Sequence, residues 1–202
     1  MHSYDRRLQS LLGAAARIFA DRGFHATSMR DLSQASGMSL AGIYHYVKSK
    51  EELLYLIQDR CLGQVLTGGR EAIAGECEPR ARILALVRHH VGFFARHVEE
   101  MKVLSREADT LTGPMRAQVR RRKREYLELL LQLLKELEAP RVSSLTAAYA
   151  LFGMMNWIYT WYHPTGSVTP DQLGEDIGRL FLDGIAPTAT PAPALLAATH
   201  GG

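Results

Sequence analysis

Apolar residues recur at helical spacing along almost the whole chain, and no stretch shows the strict alternation of a half-buried strand. The first run, Tyr4 to Asp21, brings Leu8, Leu11, Leu12, Ala15, Ile18 and Phe19 to one face. Arg22-Gly23-Phe24 closes it, with a glycine suited to the left-handed conformation that ends helices. Thr27 or Ser28 then caps a second, short helix, with Asp31 in its first turn and Met29, Leu32 and Ala35 turned inward; Gly37 stops it. Ser39 caps a third helix that carries Ile43 and Val47 to the core. Ser49 with Glu52 forms an S-x-x-E box opening a fourth, whose face of Leu53, Leu56 and Ile57 continues to Val65 and ends before the pair Gly68-Gly69.

Beyond Pro79 the predicted helices lengthen. Ala81 to His97 carries Ile83, Leu84, Val87, Val91 and Phe94 at helical spacing, and a shorter helix follows from Glu99 to about Ala108. Pro114 opens a long helix in which the block Arg120-Arg121-Arg122-Lys123-Arg124 precedes an apolar run from Leu127 to Leu137. Ser143 or Ser144 caps the next, which runs through Phe152 and Trp157 to Tyr162 and stops at His163-Pro164. The last starts at Thr169-Pro170 and carries Leu173, Ile177, Leu180 and Phe181. The tail past Gly184 is rich in proline, alanine and threonine, so residues 187–202 are expected to be disordered. The pattern therefore predicts an all-α chain of about nine helices, with a three-helix unit over residues 1–50 and a longer helical domain over residues 51–186.

Composition narrows this picture. In 202 residues, 47% of them apolar, there is enough material for a core without disulfide or metal staples. Cys61 and Cys77 form no C-x-x-C pair, which argues against a zinc site or disulfide framework and for a reduced, cytoplasmic protein. No apolar run is long enough to span a membrane, and the N-terminus lacks the apolar core of a signal peptide. A net charge of +3 permits nucleic-acid binding without demonstrating it. No carboxylate pair, histidine-rich cluster, nucleophile elbow or phosphate loop stands out, so an enzyme is not expected and neither is a cofactor.

The candidate chemistry is concentrated in Thr27 to Lys50, TSMRDLSQASGMSLAGIYHYVKSK. Two short helices joined by a glycine turn, with hydroxyl, imidazole and ammonium groups near the end of the second, form a helix-turn-helix signature. The stretch Leu11 to Leu54 resembles the TetR/AcrR family of bacterial transcriptional repressors. The shared elements are Phe19, Gly23-Phe24, Thr27, the Gly37-x-Ser39 turn, Tyr44-His45-Tyr46, and Lys50 ahead of Glu52-Leu53. The resemblance implies a homodimer that binds a palindromic double-stranded operator and is released by a small hydrophobic effector bound in the C-terminal domain.

That resemblance places DNA contacts at particular positions. Thr27 and Ser28 at a helix N-terminus, with Tyr44, His45, Lys50 and the exposed Arg30, suit phosphate oxygens. Ser39, Leu40, Ala41, Gly42 and His45 present the reading helix to the bases. Leu40 and Gly42 depart from the family, in which lysine is frequent at the first and threonine, serine or alanine at the second. Apolar Leu40 and Ala41 offer contacts to thymine methyls but no bidentate hydrogen bonds. Tyr46 reads as a core aromatic.

The segment from Asn156 to Pro164 resembles the branch of the family that senses acyl-CoA thioesters. For a long-chain acyl-CoA, Phe93, Phe94, Met101, Tyr126, Met154, Met155 and Trp157 would line the acyl cavity. Arg120, Arg121 and Arg124 would hold the CoA phosphates. Dimerisation is expected through the last two helices, where Gly174 and Gly178 make a stripe of small residues. The alternatives are a regulator tuned to a different hydrophobic ligand and a protein-interaction module without DNA binding.

Overall fold

The computed structural model describes residues 3–137, 142–163 and 165–185, which hold nine α-helices and no strand. The tail expected to be disordered lies outside the described residues. Helix α1 (Ser3–Arg22) ends where Gly23 takes φ +83 and donates its N–H to the Phe19 carbonyl. Phe24 then folds back, its ring 5.4 Å from that of Phe19. Ser28 caps α2 (Met29–Ser36) through a reciprocal box with Asp31, and Gly37 at φ 67 ends it. Helix α3 (Leu40–Tyr44) is capped by Ser39 but is shorter than the pattern predicts, and a turn through His45 and Tyr46 delivers the buried Val47. Ala35, expected inward, is exposed.

Helix α4 (Lys50–Ala74) does not end at Gly68-Gly69 but runs through both. The glycines serve packing. A Cβ at position 68 would collide with the His89 ring, and one at position 69 would lie 2.9 Å from Leu86 Cδ1. Their absence lets α5 (Pro79–Arg96) approach closely, which offsets a helix penalty of up to about 1 kcal/mol each. Ser49 caps α4 as expected, while the Glu52 carboxylate accepts the Lys48 N–H rather than that of the cap.

Helices α6 (Val98–Arg106), α7 (Gly113–Lys135), α8 (Ser144–Asn156) and α9 (Pro170–Ile185) complete the bundle. Ser143 caps α8, whose end tightens into a 3-10 turn over Trp157–Thr160 instead of continuing to Tyr162. Helix α5 is the centre of this half and packs against α4, α7 and α9. Gly174 and Gly178 are part of that packing. The first would place a Cβ 2.9 Å from the Arg88 backbone Cα and the second would meet Leu84, both on α5, so the stripe seals an intrachain seam rather than a dimer interface. Helix α1 packs against α2, α4 and α6, so the N-terminal helices share one continuous core with the bundle.

Candidate nucleic-acid interface and ligand cavity

The exposed side of the helix-turn-helix carries Arg30 on α2, Ser39 at the cap of α3, Leu40, Ala41 and Tyr44 on α3, and His45 just after it. Tyr44 is 52% exposed, with its phenol free of the core, whereas Tyr46 is half-buried and packs on Tyr4 at 4.7 Å. Tyr4 also meets His45 edge-on at 6.2 Å, so the first turn of α1 steadies the imidazole. That contact was invisible in the sequence because the two residues lie on separate helices. Gly42 donates its N–H to Ser39 Oγ at 3.1 Å, which completes the cap of α3.

Three expected phosphate ligands are already engaged. Thr27 is buried, and its hydroxyl donates to the Gly23 carbonyl at 2.8 Å. The Asp31 carboxylate occupies the N-terminus of α2, accepting the Ser28 backbone N–H at 2.7 Å and the Ser28 hydroxyl at 2.5 Å. These hydrogen bonds to Ser28 hold the Asp31 carboxyl below the usual carboxylate range, and the negative charge displaces any second anion from that helix end. The Lys50 ammonium donates to the Phe24 and Thr27 carbonyls at 2.8 and 2.7 Å and stands 4.2 Å from the Phe24 ring centroid. Two of its three donors therefore bind the α1–α2 loop, leaving one for an outside partner.

A cavity of about 600 Å³ opens between α4, α5, α6, α7 and α8. Leu62, Val65, Phe94, Met101, Leu104, Leu127 and Phe152 give it an apolar floor, with Lys123, Arg124, Tyr149 and Asn156 also in its lining. Of the residues expected there, Phe94, Met101, Tyr126 and Arg124 are present. Phe93 is not: it stacks on His97 at 4.2 Å. Met155 is wholly buried in the core, and Met154 and Trp157 are exposed on the outside, where the 3-10 turn carries Trp157 off the inner face.

The basic block fans out around α7 because consecutive residues on a helix diverge. Arg120 faces Asp109 at 4.0 Å, Arg121 pairs with Glu125 at 3.8 Å, and Arg122 is tied to Asp59 on α4 at 3.1 Å. Only Lys123 and Arg124 of the five reach the large cavity, and Arg120 and Arg121 do not. Burial pushes the Lys123 ammonium below its usual range, a cost that Asp109 partly relieves. His90, which the sequence reading passed over, lies in the cavity wall with its Nδ1 3.0 Å from the Tyr126 hydroxyl and its Nε2 3.2 Å from Asn156 Oδ1. The only signal in the sequence was a polar residue on the apolar face of α5.

Among the described residues no cluster of histidine, cysteine or acidic groups is placed to hold a metal ion, and no helix is long and apolar enough to cross a membrane. The fold and these two sites define a DNA-binding regulator of the helix-turn-helix kind, with a second set of helices enclosing a cavity. Residues 11–55 match the model of the bacterial regulatory proteins of the tetR family, and residues 76–185 match that of the tetracyclin repressor-like C-terminal domain. The chain belongs to the TetR family of transcriptional regulators.

Among its relatives, the HTH-type transcriptional repressor KstR2 of Rhodococcus jostii is 28% identical over 89% of this chain and 91% of its own length. The solved structure of AibR in complex with isovaleryl coenzyme A and operator DNA is 30% identical and superposes with a TM-score of 0.77, covering 86% of this chain and 97% of that one. KstR2 of Mycobacterium tuberculosis shares the fold at a TM-score of 0.83 and 23% identity, over 90% of this chain and 96% of its own.

Proposed function

We propose that this regulator is a cytoplasmic homodimeric repressor that leaves its operator when a fatty acyl-CoA enters the cavity. The observation that carries the reading is the cavity itself. Its volume of about 600 Å³ falls within the range of roughly 300–1,000 Å³ that suits a small-molecule site. Its apolar floor matches an acyl chain, and Lys123 and Arg124 supply charge for CoA phosphates. Kinship with AibR, whose structure contains isovaleryl coenzyme A and operator DNA, and with the KstR2 repressors supports the same conclusion.

On the DNA side, residues 1–50 form the reading unit and residues 51–186 the effector and dimerisation domain. Tyr44, Arg30 and the remaining Lys50 donor hold phosphates. His45, Ser39, Leu40, Ala41 and Gly42 face the bases. The mate is a second copy, seated on the outer side of α8, its closing 3-10 turn and α9, where Trp157 and Leu180 are 62% and 70% exposed. Two copies related by a two-fold axis fit half-sites one helical turn apart.

The link between cavity and reading unit runs through the end of α6. Ser105 and Ala108 line the cavity, and between them Arg106 donates to the Ala20 carbonyl at 3.1 Å while Glu107 accepts from the Phe24 N–H at 3.0 Å. An effector that displaces this turn shifts α1 and the loop that carries Lys50's acceptors, so bound and free states differ in reader placement. Titration calorimetry with lauroyl-CoA, isovaleryl-CoA, lauric acid and CoA tests the ligand. At least one thioester should bind at micromolar concentration, more tightly than CoA or the acid; no heat from either thioester sinks the reading. A gel shift with the protein's own upstream DNA should show a complex that the bound thioester dissolves.

A further inference from the structure

One polar row interrupts the apolar interior of the cavity. His90 on α5 is 2% exposed and Tyr126 on α7 is 5% exposed, and their rings stack nearly parallel. Neutral imidazole carries one proton. Asn156 Oδ1 can only accept, so the proton sits on Nε2, and Nδ1 accepts the Tyr126 hydroxyl. The reverse tautomer would turn the Asn156 amino group toward Nε2 and leave the buried Tyr126 hydrogen without an acceptor among the described residues. The order of donors is thus fixed from Tyr126 through His90 to Asn156, and it leaves the Asn156 Nδ2 hydrogens without an acceptor among the described residues. Asn156 is itself exposed, at the C-terminal end of α8. Its amino group therefore stands where the dry floor of the cavity gives way to solvent and to exposed Arg124.

We propose that Asn156 recognises the effector by donating a hydrogen bond from Nδ2 to the thioester carbonyl oxygen, with His90 and Tyr126 as the residues that hold its carboxamide in position. In an acyl-CoA the thioester is the junction between apolar chain and charged headgroup. Asn156 occupies the corresponding junction of the cavity wall. The row is uncharged and its order of donors leaves the Asn156 amino hydrogens to be given outward, which suits a neutral carbonyl oxygen.

This inference rests on the acyl-CoA reading, and the test separates the two. Calorimetry compares lauroyl-CoA with S-dodecyl-CoA, a thioether of the same length that lacks the carbonyl oxygen, with isovaleryl-CoA and S-isopentyl-CoA as the short pair. The wild-type protein should bind the thioester about tenfold more tightly than the thioether, the worth of one buried hydrogen bond. Asn156→Leu should bind both alike while holding the thioether within about twofold of wild type. Tyr126→Phe should reduce the preference without abolishing thioether binding, a split that a merely structural role would not produce. Operator binding without effector and the helical circular-dichroism signal verify that each variant folds. If the wild type binds thioester and thioether equally, or if Asn156→Leu keeps the preference, the carbonyl assignment is wrong while the acyl-CoA reading stands. If neither thioester binds, both fall.

Discussion

The Glu107 carboxylate accepts the backbone N–H of Phe24 at 3.0 Å, joining residues 83 positions apart in the chain. Its second oxygen accepts the Thr110 hydroxyl at 2.7 Å, and its own carbonyl accepts from the Gln58 side chain on α4 at 3.1 Å. Glu107 and Gln58 are buried and Thr110 is half-buried, in the space where α1, α4 and the end of α6 meet. The carboxylate therefore completes the hydrogen bonding of the α1–α2 loop from the end of α6.

Replacing Glu107 by alanine leaves the Phe24 N–H buried without an acceptor, at a cost of about 1–3 kcal/mol. Glu107→Gln keeps an acceptor oxygen and should lose less. Urea denaturation reads the difference; a Glu107→Ala protein that unfolds at the wild-type midpoint would remove the contact from the list of stabilising interactions. In the alanine variant, effector should also release operator less completely, because the tie between cavity wall and reading unit is cut.

Lys50 holds Phe24 and Thr27 carbonyls that no other side chain is positioned to satisfy among the described residues. Lys50→Met should therefore lower both the melting temperature and operator affinity. The two losses arise differently. Removing a phosphate contact reduces the slope of log affinity against log salt by about one, whereas loosening the loop weakens binding at every salt concentration. Both components should be visible in a salt titration, and they should be equal on specific and random DNA. Tyr44→Phe, which removes an exposed hydroxyl, should weaken DNA binding alone and leave stability within about 0.5 kcal/mol.

Much of this architecture was legible in the chain because short-range chemistry sets it. Ser28, Ser39, Ser49 and Ser143 cap helices where the pattern placed them, and Gly23 and Gly37 take the left-handed turns their positions required. What was not legible depends on partners distant in sequence. Gly68-Gly69 reads locally as a helix stop, yet His89 and Leu86 of α5 convert it into a close-packing site. The arginine block reads as one patch, but a helix turns about 100° per residue, so Asp109, Glu125 and Asp59 take three of its members in separate directions. Likewise Thr27 and Lys50 sit at the positions the family motif assigns, while the Thr27 hydroxyl and two of the three Lys50 donors are taken up within the loop they close.

Burial holds the His90 imidazole far below its ordinary range, at about 3. The groups facing it, Tyr126 and Asn156, are neutral, and the neighbouring His89 is also held down, chiefly by burial. The unfolded chain takes up a proton near pH 6.5 that the folded chain refuses until about pH 3. The stabilisation is therefore complete above about pH 6.5 and is lost as pH falls toward 3, by about 1.4 kcal/mol per pH unit within that window. Between pH 7 and pH 5 the His90 share comes to about 2 kcal/mol. Urea midpoints at the two pH values should converge by that amount in His90→Gln, and nitrogen chemical shifts should show the wild-type ring still neutral at pH 5.

Helix α9 is held to α5 by a seam in which glycine is required by backbone proximity at one position and only by a side chain at the next. At Gly174 the added Cβ would stand 2.9 Å from the Arg88 Cα, an atom that cannot rotate away, so α9 must move off α5. At Gly178 the obstacle is the tip of Leu84, which can turn aside. Alanine brings up to about 1 kcal/mol of helix propensity at either site. That gain should be outweighed at position 174, where overpacking costs about 1–3 kcal/mol, and should nearly balance the strain at position 178. Gly174→Ala should therefore be the less stable of the two by urea denaturation. Both should still sediment as dimers at micromolar concentration, because the seam lies within one chain and the exposed Trp157 and Leu180 are left untouched. A Gly174→Ala chain with wild-type stability that sediments as a monomer would place the glycine seam between protomers instead.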